Sequence, residues 1–175
     1  NKDKVLSSQE IANVAFYIFE FNYQSPTCAS PASPPLLGDE HHLHGATLIS
    51  HNKKTDFALL RLDSRPSGNM NVFYSGFSSI NNKPKNGACI HHPSTDMKKI
   101  STYKNDPDRV THKGIKAWKV KWENGVTEEG SSGAPLFNEN KHIVGQLWGG
   151  ASSCQHPNKK DFFGRVDISW NDGNS

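Results

Sequence analysis

An all-β fold is what this sequence predicts, and three observations predict it. Short apolar stretches, several of them alternating, recur along the chain as they do in a barrel or a sandwich. Turn residues punctuate them, with 14 glycines and 10 prolines among 175 residues. Helical periodicity is scarce. The length suits one domain, or two small barrels that share an interface.

The elements follow in order. Ser7-Ser8-Gln9-Glu10 reads as a polar turn or a single helical turn. Residues 14–23 carry aromatics at every second position, which predicts a strand. Residues 25–39 are a Pro/Ser/Ala loop, because no strand runs through Pro31, Pro34 and Pro35. Residues 44–50 are a short strand, and Asn52-Lys53-Lys54 turns the chain into 56–62. That run, Asp56-Phe57-Ala58-Leu59-Leu60-Arg61-Leu62, is apolar enough to suggest a strand buried on both faces. A turn at 64–71 leads to a strand at 72–77. Residues 81–87 read as a linker, dividing one domain into a first half, 1–80, and a second half, 81–175.

The second half repeats the pattern. Cys89-Ile90-His91-His92 precedes a proline, 98–103 and 116–122 read as strands, 142–150 is a strand ending in glycines, and 162–170 closes the set. No internal repeat is present.

Charge and composition exclude several classes of function. The net charge of +3 is spread over single lysines and pairs such as Lys53-Lys54, Lys98-Lys99 and Lys159-Lys160. That is a solvated surface with no nucleic-acid motif, so no nucleic-acid partner is expected. No apolar run is long enough to span a bilayer, and no membrane partner is expected. The chain opens on Asn1-Lys2-Asp3-Lys4 without a signal peptide, so targeting information has been removed or lies elsewhere. Three cysteines, Cys28, Cys89 and Cys154, cannot all pair with one another. His41, His42 and His44 lie in a loop without carboxylate or cysteine spacing for a metal, and His91-His92 read as structural or pocket-lining; no metal or cofactor is implied.

The stretch that carries chemistry is Gly125-Val126-Thr127-Glu128-Glu129-Gly130-Ser131-Ser132-Gly133-Ala134-Pro135-Leu136-Phe137. A Ser/Gly cluster is readable as an ordinary turn. It is equally readable as a nucleophile with its oxyanion hole, since glycines let two backbone N–H groups converge beside a hydroxyl. An α/β-hydrolase elbow is excluded, because its second glycine falls on Ala134 and Pro135 opens a β segment rather than a helix. Asp56 is the second landmark: by itself a turn aspartate, but also a carboxylate at the lip of an apolar strand, where burial is costly without partners.

Taken together, Phe-Asn-Tyr-Gln-Ser-Pro-Thr-Cys (21–28), Thr-Asp-Phe-Ala-Leu-Leu (55–60), Ile-His-His-Pro-Ser (90–94), Gly-Val-Thr-Glu-Glu-Gly-Ser-Ser-Gly (125–133), Gly-Gln-Leu-Trp-Gly-Gly (145–150) and Gly-Arg-Val (164–166) resemble bacterial lysyl endopeptidases of the chymotrypsin-like serine protease family. The resemblance covers most of the chain. It implies a chymotrypsin-like double β-barrel whose N-terminal barrel is incomplete here, and a secreted or periplasmic endopeptidase that cuts after lysine. It makes Ser132 the nucleophile, Asp56 the triad aspartate, and the N–H groups of Gly130 and Ser132 the oxyanion donors. It places Asp161 at the position that pairs with a substrate lysine, with Trp148, Gly149 and Gly150 binding substrate; the trypsin-style position holds Val126 and cannot take that role.

The departure from the family is the histidine. None of His41, His42, His44 or His51 has the expected context before Asp56, so the resemblance puts the base upstream of residue 1. The isolated chain is therefore expected to be inactive, a monomer that acts on protein or peptide substrates together with the missing N-terminal segment. The resemblance likewise implies that Cys28 and Cys154 form disulfides with partners near the N-terminus, and leaves Cys89 a buried thiol. The rival reading is a protease-like binding module without catalysis.

Overall fold

The computed structural model describes residues 6–27 and 37–172. Cys28 and most of the proline-rich loop lie outside them. The chain runs α1 Ser8–Asn13, β1 Ile18–Glu20, β2 His42–His44, β3 Ala46–Asn52, β4 Phe57–Leu62, β5 Gly87–His91, β6 Lys99–Tyr103, β7 Asp108–His112, β8 Ile115–Lys121, β9 Pro135–Asn138, β10 Ile143–Gly150, β11 Lys160–Arg165 and α2 Val166–Asp172. β1 pairs with β2 and β3 with β4 as small two-stranded sheets. The second half forms one seven-stranded antiparallel sheet in the order β6-β5-β9-β10-β11-β8-β7, whose edges do not pair with each other.

Several expected elements take another form. Residues 14–23 are not one strand. Ser7 caps α1 in a reciprocal box, its hydroxyl accepting from Glu10 N at 3.2 Å while the Glu10 carboxylate accepts from Ser7 N at 2.9 Å. The helix then tightens into a 3-10 turn at Val14–Phe16. Local capping prevails because the first aromatics find no face to bury against: Phe16 and Tyr17 are 81% and 48% exposed. The strand expected at 44–50 breaks at Gly45, whose φ of 78° separates β2 from β3. β4 is present, but Ala58 and Leu59 are exposed, since no third strand extends the β3–β4 sheet among the described residues. Residues 72–77 make only an isolated bridge, Phe77 to Ile143.

In the second half, β7 was not expected. It is joined to β8 by Lys113 and Gly114, both at positive φ (48° and 84°), the left-handed pair that a tight two-residue hairpin needs. The strand expected over 162–170 ends at Arg165, and α2 takes over. There the Arg165 guanidinium pairs with Asp167, and Ser169 Oγ donates to the carbonyl of Arg165 at 3.1 Å.

The core is the inner face of the seven-stranded sheet: Cys89, Tyr103, Trp118, Val120, Trp122, Leu136, Val144, Leu147 and Phe163. Trp118 is the more deeply buried of its two tryptophans, donating from Nε1 to the carbonyl of Val144 at 3.1 Å. The guanidinium carbons of Arg165 and Arg109 lie 4.6 and 5.3 Å from its ring centroid. Trp118→Ala is expected to lower stability by about 3–5 kcal/mol, read from the denaturant midpoint. A loss under about 1 kcal/mol would show that this ring does not anchor the sheet.

The first half docks onto this sheet through the 53–56 turn. Lys116 N donates to the carbonyl of Lys54 at 2.7 Å, Gln146 Nε2 donates to that of Thr55 at 2.8 Å, and the hydroxyls of Thr55 and Ser169 meet at 2.7 Å. A side chain at 164 would overlap the Thr55 carbonyl, so Gly164 is what allows this approach.

Candidate active site

The turn at 128–134 is built by alternate use of its amides. Ser131 N donates to the carbonyl of Glu128 at 3.1 Å, Gly133 N to that of Leu147 at 2.8 Å, and Ala134 N to that of Ser131 at 3.0 Å. The N–H groups of Gly130 and Ser132 have no acceptor among the described residues. Unpaired amides are uncommon in folded chains unless they face solvent or a ligand. Gly130 holds φ at 90°, where a Cβ is strained. Ser132 is exposed, and no described residue hydrogen-bonds its hydroxyl.

Beside this turn is a cavity of about 190 Å³. Its wall includes Ser132, Leu147, Gly149, Gly150, Thr127, Ser152 and Asp161, with Glu128 and Glu129. Asp161, on β11, is 1% exposed. Its Oδ2 accepts from Trp122 Nε1 at 2.6 Å, from Thr127 Oγ1 at 2.7 Å and from the Ser152 hydroxyl, while Oδ1 accepts from Ser152 N at 3.1 Å. Four donors offset part of the desolvation cost of a buried carboxylate. No lysine, arginine or histidine forms an ion pair with it among the described residues. The carboxylate is fixed in direction, and no counter-ion faces it among the described residues.

Glu128 and Glu129 add two further carboxylates to the wall. The N–H of Cys154 donates to Glu128 Oε1 at 2.9 Å and holds that carboxyl below its usual range. The same carboxylate pushes the exposed Cys154 thiol up. Burial, assisted by the charge of Asp161, pushes the Cys89 thiol up to about 12. Both cysteines are free thiols in this structure.

A bulge between Leu147 and Gly149 shifts the β10–β11 register so that Gly150 lies opposite Asp161. A Cβ at 150 would overlap Asp161 Oδ1. Gly150→Ala is expected to destabilise the fold by about 1–3 kcal/mol through overpacking. Thermal unfolding reads this, and an unchanged melting temperature would mean that Asp161 has room to retreat.

Of the residues singled out in the sequence, Ser132, Gly149, Gly150 and Asp161 meet in this cavity, and Gly130 adjoins it through Glu129. Trp148 is not on the wall; its ring stands edge-on to His112 and Phe162 at 5.4 and 6.5 Å. Asp56 is exposed at φ 55° and lines a different cavity, with His51, Asn52 and Phe57. The link from Asp56 to the serine turn is β10, since Gln146 holds the 55–56 backbone while Leu147 holds Gly133. Sequence reasoning did not find Trp122, Thr127 or Ser152 as partners of Asp161. It also did not find the contact of His91 with Ser131 in the serine turn.

A model of the family described as lysyl endopeptidase, C-terminal domain, matches residues 5–164. Among solved structures the chain is similar to the Rv3671c protease in its inactive form, with a TM-score of 0.51 at 15% identity over 74% of this chain and 68% of that one. The active form of the same protease, from M. tuberculosis, gives a TM-score of 0.48 at 14% identity over 74% and 57%, too distant to weigh. At such identity the likeness bears on fold alone. The fold is all-β and chymotrypsin-like, with sheets that do not close into complete barrels.

Proposed function

The chain belongs to the lysyl endopeptidase family through its C-terminal domain, and on that premise we propose that it is the larger part of a serine endopeptidase cutting on the carboxyl side of lysine. The observation that carries this reading is the shared cavity, with an unpartnered serine hydroxyl at one side and a buried carboxylate without a counter-ion at the other.

Ser132 Oγ attacks the scissile carbonyl carbon and its proton passes to a histidine, which later returns it to the leaving amine. That histidine comes from sequence upstream of residue 1 and is oriented by Asp56. The carbonyl oxygen, as it becomes an oxyanion, takes the N–H groups of Gly130 and Ser132. The lysine side chain extends between Gly149, Gly150 and Leu147 until its ammonium reaches Asp161. A compact ammonium suits a single carboxylate; the planar fork of arginine needs a wider end. Water then hydrolyses the acyl-enzyme, and the isolated chain without its base is nearly inert. No metal or cofactor takes part in this scheme.

The test is a set of peptides with lysine, arginine or norleucine at one position, given to the full-length protein. Cleavage after lysine at a rate at least about 100-fold above norleucine is expected, the cost of an unpaired buried charge. Equal rates would refute the assignment of Asp161.

One observation favours a second reading, a lysine-binding module without catalysis. No histidine lies on the wall around Ser132 among the described residues. Tight binding of lysyl peptides by the full-length protein with no turnover would select it.

A further inference from the structure

Beneath the serine turn lies a buried polar chain with one direction. His91, 2% exposed at the end of β5, places Nδ1 2.8 Å from Ser131 Oγ and Nε2 3.1 Å from Ser101 Oγ. Ser101 Oγ donates to the carbonyl of Val126 at 2.7 Å, so its proton is spent there. It must therefore accept from His91, which puts the imidazole proton on Nε2. Nδ1 is then an acceptor, and the Ser131 hydroxyl donates to it. Every group is satisfied, from Ser131 through His91 and Ser101 to Val126. Burial, with the neighbouring His92, holds His91 below its ordinary range against the opposing pull of the Asp161 charge. The imidazole is neutral, as the chain requires.

Ser131 lies between the two residues whose N–H groups are unpaired. The amide of Ser132 belongs to the peptide that follows the Ser131 Cα, and the amide of Gly130 to the 129–130 peptide, with the 130–131 peptide between them. Rotation about the Ser131 backbone therefore changes the angle between the two donors. The Ser131 amide and carbonyl already hold the turn to Glu128 and Ala134. The side chain adds a third, inward tether, buried with Ser131 at 2% exposure.

We infer that His91 is a positioning residue: by accepting a hydrogen bond from the Ser131 hydroxyl it aligns the Gly130 and Ser132 amides on the developing oxyanion. This inference rests on the protease reading above. His91 touches neither substrate nor reacting atoms, so its contribution belongs to the transition state and not to lysine binding.

The test uses the full-length protein, its Ser131→Ala variant and its Ser101→Ala variant, all with small side-chain changes that leave His91 in the core. Two inhibitors separate the roles. A peptidyl-lysine boronate forms a tetrahedral adduct with Ser132 and engages the oxyanion donors; n-butylamine offers only an ammonium to Asp161. Ser131→Ala should weaken the boronate and lower kcat by about tenfold each, the loss of one buried hydrogen bond, with KM and butylamine inhibition unchanged. Ser101→Ala should shift kcat the same way by a smaller factor, and nitrogen NMR of the parent should show His91 as the neutral Nε2–H tautomer. Unchanged boronate affinity in Ser131→Ala would overturn the inference. So would parallel losses for both inhibitors, which mark a general loosening of the pocket. If the parent protein binds butylamine but not the boronate, the protease reading itself fails, and the inference fails with it.

Discussion

Asp161→Asn is expected to lower kcat/KM for lysyl peptides by about 10²- to 10³-fold while the fold survives. The reasoning begins with what asparagine can and cannot replace. Its amide oxygen must take the place of Oδ2, which accepts from Trp122, Thr127 and Ser152. Its NH₂ then falls where Oδ1 accepts from Ser152 N at 3.1 Å. Two donors would face each other, at a stability cost of about 1–3 kcal/mol. The larger effect falls on the ligand. A lysine ammonium entering this cavity loses its water and now meets a neutral amide, leaving an uncompensated buried charge worth about 3–5 kcal/mol. The preference for lysine over norleucine should collapse with it. An Asp161→Asn protein that stays folded and keeps the preference would remove Asp161 from substrate recognition.

A second large loss is expected for Gly130→Ala, about 10²- to 10³-fold in kcat, as for removal of one oxyanion donor. At φ 90° an alanine is strained, and its Cβ would stand 3.3 Å from Ser94 N and 3.4 Å from the carbonyl oxygen of His92. The 92–95 loop has little room to give, because Ser94 and Thr95 already hold positive φ and Ser94 N donates to the carbonyl of Glu129 at 2.6 Å. The chain relaxes instead by rotating the 129–130 peptide, which swings the Gly130 N–H away from its partner amide. KM for lysyl peptides should change little, since Leu147, Gly149, Gly150 and Asp161 on the facing wall are untouched. Steady-state kinetics separates the two constants. A matching rise in KM with kcat intact would contradict the oxyanion role of this amide.

What the sequence made legible was set by how locally each feature is encoded. β6, β8 and β10 carry their own alternation and turn residues, and each was placed to within a few positions. The aromatic run at 14–23 shows the opposite case. Alternation signals a long strand only where a sheet stands ready to cover one face; at Phe16 none does, and only Ile18–Glu20, paired with His42–His44, is a strand. The segment 162–170 alternates equally well for strand or helix. Its helical end follows from the Arg165–Asp167 pair and from packing against Thr55, contacts more than 100 residues apart in the second case.

The candidate site divides in the same way. The Gly130-Ser131-Ser132-Gly133 turn is local, so its residues could be read directly. Asp161 was singled out by resemblance alone, because its donors lie 39, 34 and 9 positions away with no spacing signal of their own. His91 was seen only as one of a histidine pair before a proline. Its partners, Ser131 and Ser101, are 40 and 10 residues distant, and burial is what gives the contact meaning.

The central claim is that Ser132 is an activated nucleophile, and covalent labelling tests it most directly. The full-length, folded protein, shown not to be held as a zymogen, would be treated with a fluorophosphonate and the modified peptide located by mass spectrometry. A single adduct on Ser132, lost when the protein is first unfolded, is the predicted result. Absence of label from the folded protein, or label spread over surface hydroxyls at equal rates, would contradict it.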